Sequence, residues 1–207
     1  MKNEETFWDR LADKYFKEPI KDQDAYEKKL RLTQALFTPD TDVFEFACGT
    51  GGTALRHAPH VRSVHATDFS SEMIRIARAQ ADSLGVSNVT FEQADITRYD
   101  AGHERYDVVL GMSILHLLRE PERVASRVHD WLKPGGSFVS STVCLGDSMA
   151  WIRFIAPIGR ALGKMPYVNV FKAAELRSFL LRAGFEIETE WRPEKSPAVF
   201  IIARKPG

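Results

Sequence analysis

Val43-Phe44-Glu45-Phe46-Ala47-Cys48-Gly49-Thr50-Gly51-Gly52-Thr53-Ala54-Leu55 runs an apolar strand into a glycine-rich turn and then into a helix. Glycine in such a turn lets backbone approach a ligand closely, and the start of the helix presents N–H groups with no partner inside it, which suits a carboxylate or another anion. The next apolar run, Ser63 to Thr67, is closed by Asp68, 17 residues after Gly51, where two carboxylate oxygens can accept both hydroxyls of a ribose. The bland reading of Asp68 is a helix cap ahead of Ser70 and Ser71. Its place at a strand end behind a glycine loop favours ribose, and with it an adenosine-containing cofactor.

Outward from this block the chain alternates apolar runs with amphipathic stretches, the pattern of an α/β sheet. Strands are expected at Val43 to Ala47, Ser63 to Thr67, Val89 to Gln93, Tyr106 to Leu110 and Ser137 to Val143. Helices are expected at about Gly52 to His57, Ser71 to Leu84 and Glu122 to Leu132, with a turn at Lys133-Pro134-Gly135-Gly136. A helix over about Lys172 to Ala183 and a hairpin of Phe185 to Trp191 with Ala198 to Ala203 complete the chain. Before the first strand, Phe7, Trp8, Leu11, Tyr15 and Phe16 recur at helical spacing, and Tyr26, Leu30, Thr33, Leu36 and Phe37 repeat it after Pro19. The expected organisation is a helical cap over 1–39 and one cofactor-binding domain over 40–207, in which the segment 145–170 is a substrate lid.

Composition excludes several classes. The 207 residues, 44% of them apolar, suffice for one domain, and 28 Lys plus Arg balance 28 Asp plus Glu, so no overall field draws nucleic acid. The N-terminus lacks the apolar core of a signal peptide and no stretch is long enough for a membrane span, which sets the expectation of a cytoplasmic protein. Two cysteines, Cys48 and Cys144, read as free thiols, and six histidines form no HExxH, so no metal is expected. A nucleophilic Cys48 is disfavoured, because such a loop cysteine reads as a small packing residue.

The order and spacing of five blocks resemble the class I S-adenosylmethionine-dependent methyltransferases of the small-molecule, UbiE-like type. The blocks are Val43 to Leu55, Val64 to Ser70 with Met73, Val89 to Ile96, Tyr106 to Leu118, and Leu132 to Gly136; the resemblance covers about residues 40 to 203. It implies a Rossmann-like, seven-stranded, mostly parallel sheet with an antiparallel last strand. It also implies S-adenosylmethionine as cofactor, with S-adenosylhomocysteine as product. By that resemblance Glu45 serves the amino-acid end of the cofactor, with the loop Ala47, Cys48, Gly49 and Gly51 lining it. Asp68 takes the ribose, Phe69 and Met73 flank the adenine, and Asp95 accepts from its amine, between Ala94 and Ile96. Gly111 and Met112 pass under the methionine portion. Two positions depart from the family pattern: Ala47 replaces the usual glycine, and Leu117 follows His116 where many relatives carry a second histidine.

A sulfonium is already a good leaving group, so transfer from it requires in-line placement and exclusion of water more than acid or base. Where the acceptor is a hydroxyl or protonated amine a base is useful, and His116, just past the fourth strand, is the best-placed candidate; the alternative is a structural histidine. Asp95 has an alternative in the turn at Thr97, and Tyr15 reads either as core or as a lid contact over the cofactor. In 150–164, Trp151, Phe154, Ile155, Ile158 and Leu162 share one helical face opposite Arg153, Arg160 and Lys164, with Pro157 expected to interrupt or kink the helix. The face either packs over the pocket as a lid or meets a membrane surface. The expected partner is a small-molecule or lipid-like acceptor. Gly49-x-Gly51-x-x-Ala54 also fits the loose pattern of nicotinamide enzymes, so an NAD-dependent oxidoreductase is the competing function, and a non-catalytic cofactor-binding module the third. Glu45 inside the strand, two preceding helices and the lack of room for a second domain point away from NAD.

Overall fold

The apolar run ahead of the glycine turn folds as β1 (Asp42–Phe46), whose Val43, Phe44 and Phe46 are wholly buried, as expected of a strand covered on both faces. The computed structural model describes residues 2–194 and 196–207. Met1, the first residue of the expected 1–39 cap, and Lys195, in the hairpin connection, lie outside the described residues.

The chain divides into two compact units. The first runs to Ala101 and includes Tyr106–Leu110. It opens with α1 (Lys2–Lys17) and α2 (Gln23–Gln34), the latter capped by Asp22, whose carboxylate accepts from the Ala25 N–H at 3.0 Å. After β1 come α3 (Gly52–His57), β2 (Ser63–Asp68), α4 (Ser71–Leu84) and β3 (Val89–Gln93). β1 pairs parallel with β2, and β2 with β3. Trp8 of α1 packs on a buried cluster of Ala12, Met73 and Ile76, so the first helix is fastened to the start of α4. Polar contacts secure the same seam: the Ser70 hydroxyl donates to Asp9 at 2.6 Å and accepts from the Met73 N–H at 3.2 Å. Behind β1, Phe44 stacks on Tyr106 and Tyr99, and His65 bridges the Tyr106 hydroxyl (3.0 Å) and the Glu92 carboxylate (2.9 Å).

The second unit holds the remaining chain. It contains α5 (Pro121–Trp131), β5 (Leu132–Val143), α6 (Ile152–Ala161), α7 (Ala173–Arg182), β6 (Glu186–Trp191) and β7 (Ala198–Arg204). β7 runs antiparallel to β5 and to β6, with a bulge between Ile187 and Thr189. With β4 (Tyr106–Met112) the strands form a seven-stranded sheet in the order β3-β2-β1-β4-β5-β7-β6, Rossmann-like, with only the last strand antiparallel.

Two expectations about the second unit are corrected, and a third observation bears on α6. The Lys133-Pro134-Gly135-Gly136 turn is absorbed into β5: the Gly135 N–H donates to the Lys205 carbonyl (3.0 Å) and the Lys205 N–H to that of Gly136 (2.8 Å), so partners from the chain end override the local turn signal. Pro157 does not interrupt α6. It and Arg153 are exposed, so water can take up the Arg153 carbonyl that proline leaves without a donor. The apolar stripe of α6 is turned outward: Trp151, Phe154, Ile155, Ile158 and Leu162 are all exposed, and within the helix only Ala156 is buried.

Candidate functional site

In the first unit the chain leaves β1 through a sharp loop. Ala47 has φ +53°, Gly49 +56° and Gly51 +82°, so three residues in five are left-handed. The Cys48 N–H donates to the Thr67 carbonyl (2.9 Å) and the Gly49 N–H to the Asp68 carboxylate (2.9 Å), binding the loop to the end of β2. Gly51 is required twice over, because a Cβ there would lie 2.8 Å from Phe91 Cζ and 2.9 Å from Ala77 Cβ. Ala47 carries a side chain in a conformation that costs roughly 1–2 kcal/mol for any residue but glycine. Ala47→Gly is therefore expected to raise the melting temperature by roughly 2–4 °C in thermal unfolding, net of the entropy glycine adds to the unfolded chain.

Asp68 is buried and accepts the Gly49 and Ser70 N–H groups, one on each oxygen, both at 2.9 Å, so the carboxylate is aimed before any ligand arrives. Burial raises its pKa, against the lowering effect of these N–H groups. Glu45, wholly enclosed, leaves Oε2 without a hydrogen-bond partner among the described residues. Burial, and then the charge of Asp68, push the Glu45 carboxyl up to about 8. Folded protein thus holds a proton that the unfolded chain loses near 4.5, so this group's stabilising contribution is full at low pH, declines from about 4.5 to about 8 and is then lost. Glu45→Gln removes that decline; chemical denaturation at about pH 5 and pH 9 should show the variant gaining roughly 2–4 kcal/mol on the natural chain over that interval.

Tyr15 of α1 reaches this loop: a Cβ added at Gly49 would lie 3.6 Å from its Cε1. Burial of its phenol and the charges of Asp68 and Glu45 raise the hydroxyl pKa, although about half of the residue is exposed. Of the expected adenine wall, Phe69 is half-buried, Met73 lies in the α1–α4 cluster, Ile96 is buried, and Ala94 donates its N–H to the Asp68 carbonyl at 2.9 Å. Asp95 does make the turn at Thr97, one oxygen accepting the Thr97 N–H (2.9 Å) and hydroxyl (2.7 Å). Cys48 lies in the same loop, and burial drives its thiol far above the ordinary range, which removes a thiolate from the chemistry.

In the second unit, Gly111 and Met112 are the last residues of β4, which runs two residues beyond the expected end. The chain then turns through Ser113 at φ +58°, whose N–H donates to the Ser141 carbonyl at 2.6 Å. His116 follows in a short 3-10 turn; its carbonyl accepts the Asn169 N–H at 2.7 Å, and its Nδ1 is buried with no partner among the described residues. Burial lowers the His116 imidazole to about 4, so it is uncharged at pH 7 and a weak proton acceptor.

Other features have little or no signal in the sequence. Tyr26 on α2 hydrogen-bonds Thr53, and its phenol is raised first by burial and also by the charge of Glu45. Its place in an apolar stripe hides that role. The left-handed Ser113 carries no local mark either.

A Rossmann-like sheet with a glycine loop at the end of β1 and a buried acid at the end of β2 defines a class of proteins that bind adenosine-containing cofactors. Residues 43–136 match the methyltransferase domain family. Over those residues the chain is similar to methyltransferases. It is 27% identical over 176 residues to a malonyl-[acyl-carrier protein] O-methyltransferase of Paenibacillus sp. (strain JDR-2), covering 79% of this chain and 63% of that one. It is 34% identical over 98 residues to a phosphatidylethanolamine N-methyltransferase of Cereibacter sphaeroides, covering 47% and 48%. An S-adenosylmethionine-dependent methyltransferase from Mesorhizobium loti has the same fold, with TM-score 0.69, 21% identity and coverage of 84% and 95%. The chain spans less than two thirds of the length of either curated relative.

Proposed function

We propose that this chain binds S-adenosylmethionine and transfers its methyl group to a small or lipid-like acceptor. The observation that carries the reading is the enclosed Glu45 Oε2, without a partner among the described residues, beside the pre-aimed Asp68 carboxylate: a buried polar atom left unmatched there fits a ligand with a donor to offer. In this reading Asp68 receives the ribose hydroxyls and Glu45 the amino-acid end. Gly49 and Gly51 keep the loop free of side chains, and Tyr15 covers it. Phe69, Met73, Ala94 and Ile96 form the wall for the base, and the second oxygen of Asp95 takes its amine. The cofactor, when bound, supplies an electrophilic methyl on a sulfonium. Uncharged His116, with its bare Nδ1, orients an acceptor by hydrogen bonding in place of strong base catalysis.

The two curated relatives, a malonyl-[acyl-carrier protein] O-methyltransferase and a phosphatidylethanolamine N-methyltransferase, favour acceptors that are acyl-bearing or hydrophobic. The test is transfer of tritium from S-[methyl-³H]adenosylmethionine to phosphatidylethanolamine vesicles, to malonyl carriers and to phenolic quinols. Label in one of these products, lost in Asp68→Ala, supports the reading. Transfer to none of them, or to RNA in their place, contradicts it.

A further inference from the structure

Residues 148–174 contain Arg153, Arg160, Lys164 and Lys172 and no aspartate or glutamate, in a chain whose overall charge is zero. At the centre of this stretch α6 displays Trp151 (57% exposed), Phe154 (75%), Ile155 (44%), Ile158 (63%) and Leu162 (64%). At 100° per residue these five fall on one side of the helix axis, and Arg153 and Arg160 on the other. The helix meets its own unit along a third edge, through Ala156 with the half-buried Ile152 and Gly159, so docking onto the protein does not consume the apolar stripe. Tyr167 gathers further charge, with the guanidinium of Arg119 4.4 Å and that of Arg160 5.6 Å from its ring centre.

We infer that α6 is an interfacial helix that seats its Trp151–Leu162 stripe in an anionic lipid surface. An aromatic and aliphatic face opposite a cationic one is the arrangement that lies in the headgroup plane. A helix is about 10 Å across, comparable with the screening length at physiological salt, so the arginines on its far side still feel the lipid charge. A face meant for nucleic acid would expose cations alone, whereas here Trp151 and Phe154 are exposed as well. The absence of acid from residues 148–174 supplies the charge complementarity that a neutral apolar ligand would not need. The inference goes beyond the acceptor question, since it concerns where the enzyme works whatever atom it methylates.

The test is sedimentation of the full chain with phosphatidylcholine vesicles and with phosphatidylcholine–phosphatidylglycerol vesicles at roughly 7:3, at about 50 mM and about 500 mM salt. Binding to the anionic vesicles alone, weakened at least about fivefold by the higher salt, is expected. Phe154→Glu with Ile158→Glu should lower that binding at least about tenfold while leaving the melting temperature and cofactor titration unchanged, because both side chains are exposed and far along the sequence from Asp68. Equal binding to both vesicles overturns the inference. So does binding to neither, or a concentration-dependent dimer that the same double substitution abolishes. Failure here with intact cofactor binding leaves the methyltransferase reading standing, so the two are separable.

Discussion

Asp68→Ala should lower the affinity for S-adenosylhomocysteine at least about a hundredfold, read by calorimetric titration, and should cost stability as well. The ligand effect follows from removing a pre-aimed carboxylate that can accept two hydroxyls, each charge-assisted hydrogen bond contributing about 1.5–3 kcal/mol. The stability effect follows from its partners: the Gly49 and Ser70 N–H groups both lose their acceptor, at about 1–3 kcal/mol each where water cannot replace it. Asp68→Asn separates the two roles. One oxygen still accepts from the backbone, so more of the stability is retained, while ribose recognition by a charged pair of oxygens is gone. A variant that melts like the natural chain and binds the ligand equally well would remove Asp68 from the site.

Gly51→Ala is expected to be the most damaging single methyl in the loop. It forces a side chain into φ +82° and drives a Cβ to within 2.9 Å of both Phe91 and Ala77, so backbone strain of about 1–2 kcal/mol adds to overpacking of about 1–3 kcal/mol. The melting temperature should fall by roughly 10 °C. Gly49→Ala is the control. It shares the left-handed φ, +56°, but its new methyl meets only Tyr15, at an ordinary 3.6 Å, so its loss should be about half as large. Equal losses at the two positions would show that the contact with Phe91 and Ala77 carries no cost.

The central sheet was legible because strands such as β1 are buried on both faces, and because elements are ended by punctuation: Val43 to Phe46 before the glycines, Ser63 to Thr67 before Asp68, and α4 stopped by Gly85 at φ +64°. Lys133 to Gly136 misled because turn propensity is local, whereas the bonds that draw these residues into β5 come from Lys205, far along the chain. For α6 the amphipathic pattern was plain but its direction was not, since an apolar stripe reads identically whether it packs inward or faces out. The chemistry of His116 and Glu45 was hidden for a related reason. A residue name carries its ordinary pKa, and only enclosure by the fold lowers one to about 4 and raises the other to about 8. The loop strain was half visible: alanine at position 47 in a glycine-rich turn signals a departure, and φ +53° states its size.

Cofactor identity is tested most directly by calorimetric titration of the natural chain, side by side, with S-adenosylmethionine, S-adenosylhomocysteine and NAD. Micromolar binding of the first two with none of the third is the predicted result; binding of NAD alone, or of none of the three, would contradict it.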